Sequence, residues 1–156
     1  MSRVASKKIH VCFVLPVPLL PLKGASFTCF NQAVVLDNLG YKVTILTSKP
    51  KGLSGNDPYS RLSLRGIKVV DSLPSKAGSG LSSHFYPLLF SWPHIWATLK
   101  KEKPDIVHVH NPTDIIPMVV AIVNTFYKVP YIFQLNDPGP ESIVSIIGLK
   151  RTKRFI

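Results

Sequence analysis

Three short stretches of the chain bring together side chains that could do chemistry. In Pro104-Asp105-Ile106-Val107-His108-Val109-His110-Asn111-Pro112, two imidazoles alternate along a β-branched run, and Asn111 and Asp114 follow. Alternate residues of a strand leave on one side, so His108 and His110 share a face. His108 is expected to be buried in a sheet and bonded to a neighbouring carbonyl, which leaves His110, nearer the strand end, as the better ligand candidate. Two histidines without a nearby third ligand do not make a metal site, and none is assigned. The second stretch, Asn136-Asp137-Pro138-Gly139-Pro140-Glu141, offers an amide and a carboxylate that could hold hydroxyls of a sugar or similar polyol; an Asx-type turn ahead of Pro138 is the competing reading. The third, Lys23-Gly24-Ala25-Ser26, is a small-residue turn that could lead into a helix, where backbone donors and the helix dipole favour a phosphate.

The surrounding pattern says what positions these groups. Residues 9–15 and 41–47 are apolar, β-rich runs, and between them residues 27–39 repeat apolar side chains at helical spacing, with Ser26 as the expected N-cap and Gly40 as the left-handed stop. This is a right-handed βαβ unit. Residues 48–65 are polar, with Pro50, Gly52, Gly55, Asn56 and Pro58, and read as loop with at most a short strand near Ser63. Residues 66–70 read as a third strand and 72–83 as a flexible linker or lid. Residues 84–103 form an aromatic stretch broken by Pro87 and Pro93: a helix packed on the sheet, or an interfacial segment with Lys100, Lys101 and Lys103 on anionic headgroups. A buried strand from Ile106, a helix over 115–127 with several N-cap candidates in residues 111–114 and, if Asp114 is the cap, Pro117 in its first turn, a strand over 129–135 and a helix from Ser142 complete the pattern. The fold class is therefore α/β: a Rossmann-like open sheet, mainly parallel, with helices on both faces. The three stretches then lie at the carboxyl ends of strands, where such folds bind ligands.

The 156 residues suffice for one domain with a core, and 46% hydrophobic with 17% charged residues places the chain among globular proteins. The net charge of +11 favours an anionic partner, a phosphate ligand or an acidic lipid surface. Nucleic acid is not expected, because no helix-turn-helix, zinc or RNA-binding signature accompanies the charge. Neither the Gly-x-Gly-x-x-Gly of dinucleotide enzymes nor the Gly-Lys-Ser/Thr of a P-loop is present, and no nucleophile stands with a base. Cys12 and Cys29 fall within predicted elements as small buried hydrophobes, which fits a reducing, cytoplasmic setting. Residues 1–8 form a basic leader that imitates a signal peptide, but prolines interrupt the apolar run behind it. No run approaches the ~20 residues of a membrane span.

Taken together, residues 8–15, Pro21-Leu22-Lys23-Gly24-Ala25-Ser26, Asn31-Gln32-Ala33, residues 39–47, Pro104 to Pro112 and Asn136 to Glu141 resemble the N-terminal, acceptor-side domain of family 4 glycosyltransferases of the GT-B fold. The resemblance implies a retaining transfer of sugar from a nucleotide-diphosphate sugar to a lipid or polysaccharide acceptor, with no cofactor beyond the donor substrate and no metal. It implies that Gly24, Ala25 and Ser26 face the donor phosphates, that Asn136 and Asp137 are catalytic beside the reacting sugar, and that His110, Asn111, Asp114 and Glu141 line the acceptor cleft. Ala25 stands where the family often has a second glycine, and Asn136 where it usually has histidine; asparagine donates a hydrogen bond but carries no proton near neutral pH. Residues 1–156 are expected to form a single domain, half of a GT-B architecture that a second domain or subunit must complete, and inactive alone. An anionic membrane surface at the inner membrane face is a further expected partner. The rival reading is a non-enzymatic Rossmann-like module that docks to a partner protein or to that surface.

Overall fold

The computed structural model describes residues 7–19, 24–48, 57–73, 81–110 and 116–134, with backbone only for 81–89. Its elements run β1 (His10–Leu15), α1 (Ala25–Asn38), β2 (Lys42–Ser48), α2 (Pro58–Leu64), β3 (Lys68–Leu73), α3 (Leu81–Glu102), β4 (Ile106–His110), α4 (Ile116–Tyr127) and β5 (Tyr131–Gln134). The five strands form one parallel sheet in the order β3-β2-β1-β4-β5. β1 is central and wholly buried, as an apolar run covered on both faces must be.

Alternation along the strands sorts two cores. Val11, Phe13 and Leu15 of β1 meet Cys29, Phe30 and Ala33 of α1 and Leu62 of α2 on one face. Cys12 and Val14 meet Ile95 and Leu99 of α3 and Val119, Val120 and Val123 of α4 on the other. Helices therefore cover both faces, as expected. Both cysteines are free and buried; burial pushes the Cys12 thiol up to about 12 and Cys29 further the same way, so neither is a thiolate nucleophile.

Where helices hand over to strands, glycine does what only glycine does cheaply. Gly40 (φ 87°) follows α1 while its N–H bonds Asp37 O and that of Tyr41 bonds Leu36 O; Gly66 (φ 80°) follows α2 with the same pair of bonds. Both are Schellman stops. At this amino edge of the sheet His10 is buried, its Nδ1 donating to the Glu102 carbonyl (3.1 Å), so that Nε2 accepts from the Thr44 hydroxyl (2.9 Å). Asp105 accepts from the His10 N–H (2.8 Å) and from Lys7 Nζ (2.7 Å), while Lys68 pairs with Glu102 (2.6 Å).

Four expectations change. Residues 48–65 are not all loop: α2 occupies Pro58–Leu64, because Asp57 caps it by accepting the Ser60 N–H (2.9 Å) and Pro58 stands at its first position, where a missing donor costs nothing. Ser26 is not the cap of α1; the helix starts at Ala25 behind Gly24, and Ser26 is buried within the first turn. The linker expected over 72–83 is narrower, since Ser72 and Leu73 complete β3 and residues 81–83 open α3. α3 also continues through Pro87 and Pro93. The predicted helix from Ser142 lies outside the described residues. No described helix is long and apolar enough to cross a membrane.

Candidate functional site

The carboxyl edge of the sheet is organised by bonds between the segments that leave it. Beyond β1, the Val17 carbonyl accepts from Thr47 Oγ1 of β2 (2.7 Å). Two residues on, the Leu19 N–H donates to the Tyr59 hydroxyl (3.1 Å), which itself donates to the Ser48 carbonyl at the end of β2 (3.1 Å). One phenol of α2 thus ties the approach to Gly24 to its neighbouring strand. Tyr59 is missed by sequence reading, although Asp57-Pro58 signals the helix that carries it. Tyr59→Phe leaves a buried N–H and carbonyl without a partner and should cost about 1–3 kcal/mol; denaturant melts and loss of hydrogen-exchange protection at the Leu19 amide would measure it.

Gly24 then turns the chain into α1 with φ 55° and ψ −129°, a conformation open to glycine and strained for other residues. Its carbonyl accepts from the Thr28 N–H (3.1 Å) and Thr28 Oγ1 (3.2 Å), which starts the helix without a side-chain cap. The positive end of the α1 dipole lies at this edge. Gly24 is exposed, Ala25 half-buried and Ser26 buried, so of the three it is the backbone of the turn that faces outward.

His110 is the last residue of β4 and is completely buried. It does not present a ring to solvent: the ring stacks on His108 (centroids 4.7 Å apart) and leans on Phe13 of β1 (5.4 Å). The shared face of the two histidines is as expected, but neither ring nitrogen of His110 has a hydrogen-bond partner. Burial first, and the neighbouring His108 second, push its pKa down to about 4, so it is a neutral imidazole at physiological pH. His108 is half-buried rather than buried and bonds the Gln134 side chain of β5 instead of a carbonyl; burial still lowers its pKa against that bond, and its Nε2 is unpartnered. Gln32 Nε2 of α1 donates to Gln134 Oε1 (3.0 Å), closing a polar cluster over α1, β4 and β5. A cavity of about 470 Å³ opens beside it, with Asn31, Gln32, Tyr41 and His108 among apolar walls from Val11, Phe13, Val35 and Ile132.

The described residues contain no group of three or more His, Cys, Asp or Glu that could hold a metal ion. Asn111, Asp114, Asn136, Asp137 and Glu141 lie outside the described residues; Asn111 directly follows β4, and Asn136 comes two residues after the end of β5. Of the sequence-derived site, the structure thus places the Gly24 turn, at the start of α1, and His110, at the end of β4, along one edge of the sheet.

The fold is similar to the glycosyltransferase of Rickettsia africae ESF-5, at 17% identity and a TM-score of 0.56 over 88% of this chain and 33% of that one. It is similar to MurG of Acinetobacter baumannii, at 15% identity and 0.54 over 80% and 34%. It is also similar to the C-terminal domain of the PF1911 hydrogenase of Pyrococcus furiosus, at 15% identity and 0.58 over 81% and 91%, so these likenesses speak for the fold and not for a reaction. The chain spans about a third of the length of the two glycosyltransferases. None of the curated proteins compared matches it. The profile of Glycosyltransferase Family 4 matches residues 22–155.

Proposed function

Because the chain belongs to Glycosyltransferase Family 4, we propose that it forms the acceptor-side half of a retaining glycosyltransferase that moves a sugar from a nucleotide-diphosphate sugar to a lipid or polysaccharide acceptor. The observation that carries the reading is the Gly24 turn: a glycine-specific backbone conformation at the carboxyl edge, leading straight into α1 without a capping side chain. In this reading the N-terminus of α1 faces the donor diphosphate. Backbone N–H groups and the helix dipole stabilise the charge that develops on the leaving nucleoside diphosphate as the glycosidic bond breaks, and they need no reorganisation to do so.

Asp137 accepts a hydrogen bond from a hydroxyl of the reacting sugar, and Asn136 donates one without exchanging a proton. Asn111, Asp114 and Glu141 line the acceptor side. His110, being buried, supports that wall from beneath through its ring stack rather than by touching substrate. A second domain or a completing subunit holds the donor nucleotide, and no cofactor is required beyond the donor substrate. The length of the similar glycosyltransferases supports this division.

The test is a transfer assay with a panel of nucleotide-diphosphate sugars, run on the chain alone and on the chain joined to a donor-binding domain. Transfer by the joined form only, abolished by Asp137→Ala, is the expected result. Robust turnover by the chain alone would overturn the division of labour, and a joined form that binds no nucleotide sugar would overturn the reaction.

A further inference from the structure

The two outermost strands of the sheet are finished differently. β3 carries the exposed Lys68 and Asp71, and its pairing with β2 shifts register between Leu46 and Ser48. Charge and irregularity of this kind keep an edge from taking on another strand. β5 has neither: Tyr131, Ile132 and Phe133 are 49%, 51% and 43% exposed, Gln134 completes it, and its register with β4 is regular. Among the described residues no strand lies beyond it. Pro130, which could have blunted this edge, faces inward, because its carbonyl accepts from the Val107 N–H (2.9 Å). Backbone groups alternate sides along a strand, so the N–H and C=O of Ile132 also face β4, and those of Tyr131 and Phe133 face outward.

Such a strand complements itself. Set antiparallel about a twofold axis through Ile132, two copies of β5 place Tyr131 of each opposite Phe133 of the other, and every outward N–H and C=O of these residues finds a partner. Side chains alternate as well. Tyr131 and Phe133 are in register with Val107 and Val109, which belong to the core on the α4 face, so the same axis makes two cross-strand Tyr–Phe contacts there. Ile132 is in register with His108 and walls the cavity on the α1 face, where it meets its own symmetry mate. Charge does not oppose the pairing, although the chain carries +11. Lys128 is the only charged residue between Ile116 and Gln134, and in this register its two copies stand roughly 27 Å apart.

We propose that two copies of the chain join through β5 in this register, as an isologous dimer with one continuous sheet. A twofold contact closes on itself, and the blunted β3 side adds no further strand, so assembly stops at two. The axis turns the two carboxyl edges in opposite directions. The second copy therefore does not supply the wall that the proposed transfer reaction requires, and the dimer and that reaction stand or fall separately.

The experiment is disulfide trapping combined with sedimentation velocity on the full chain. Ile132 and its symmetry mate form a non-hydrogen-bonded pair, with Cα atoms about 4.5 Å apart, within the span that a disulfide bridges. Cys12 and Cys29 are buried and do not compete. Under mild oxidation Ile132→Cys should cross-link to a covalent dimer, and Phe133→Cys, whose mate stands two residues out of line, should not. The parent should show a concentration-dependent equilibrium between monomer and dimer, because a contact of this size is weak. Phe133→Pro removes one outward donor per copy and leaves the ladder to β4 whole; it should weaken the dimer about tenfold. All these positions are exposed, and circular dichroism checks that the fold is kept. A parent that is monomeric at every concentration overturns the proposal, as does failure of Ile132→Cys to cross-link. Preferential cross-linking of Phe133→Cys, or a dimer that Phe133→Pro leaves intact, overturns it too, since the contact would then have another register or lie on another face.

Discussion

Lowering the pH from 7 to 5 will destabilise the folded chain by about 2 kcal/mol through His110 alone. The imidazole titrates near 6.5 when unfolded and is pushed down to about 4 in the fold, by burial and by His108. The unfolded chain therefore binds a proton that the native state refuses, and stability falls as the pH drops from about 6.5 towards 4, then levels off. His108 and His10 are also lowered, both by burial first, and act in the same direction. Glu102 and Asp105 are held low, so their contribution is lost only at more acid pH: for Glu102 burial is the largest influence and raises it, but the Lys68 hydrogen bond together with the charges of Lys68, Lys42 and His10 outweighs it, and the Lys7 hydrogen bond leads for Asp105. Against a typical domain stability of about 5–15 kcal/mol this is a large fraction. Denaturant titrations at the two pH values measure it. His110→Phe keeps a ring against Phe13 and removes the titration, so whatever its absolute stability, its pH slope should be markedly flatter. An unchanged slope would show that His110 is not the source.

Gly24→Ala should lower transfer by the completed enzyme about a hundredfold, the scale of losing preorganised backbone donors at a charged transition state. Its structural cost should be about 1–3 kcal/mol, from a φ of 55° with ψ −129° that alanine adopts only under strain. Gly40 and Gly66 supply the control. They too have positive φ, and an added Cβ meets nothing within 4 Å at any of the three positions, so no clash enters the comparison. Gly40→Ala and Gly66→Ala should each cost about 1 kcal/mol and leave transfer untouched, because both close helices at the opposite, amino edge. Parallel melts and initial rates on the three variants distinguish a conformational role for Gly24 from a functional one. Equal rates for all three would remove the turn from the donor site.

What the sequence disclosed follows from where its signals are local. Residues 9–15 and 41–47 are rich in apolar and β-branched side chains, and Gly40 sits where a left-handed stop was needed, so β1, α1 and β2 were legible to within a residue or two. The helix over Pro58–Leu64 was hidden by the prolines and glycines around it, although Asp57-Pro58 is itself a start signal. The α3 prolines misled in the opposite sense, because packing of Ile95 and Leu99 on the sheet holds the helix together through missing backbone bonds. Ser26 looked like a cap because of its type, whereas a glycine conformation starts the helix two residues earlier. For the site, the shared face of His108 and His110 was legible from strand alternation. The burial of His110 was not: it depends on Phe13, which arrives from the neighbouring strand through the register Phe13↔His108. Tyr59 was unreadable for the same reason, since its partners Leu19 and Ser48 come from two other segments.

The position of β1 at the centre of the sheet also bears on how the chain is made. Of the described strands β1 is made before the rest and pairs soon with β2, but its other neighbour, β4, is synthesised only after α2, β3 and α3. Throughout that interval the nascent polypeptide carries a largely apolar strand with one unpaired side, the kind of edge that recruits strands from other molecules. Translation stalled before Ile106 would therefore release a species prone to aggregate, and slow closure of this long-range pairing is the step at which a holding chaperone would act.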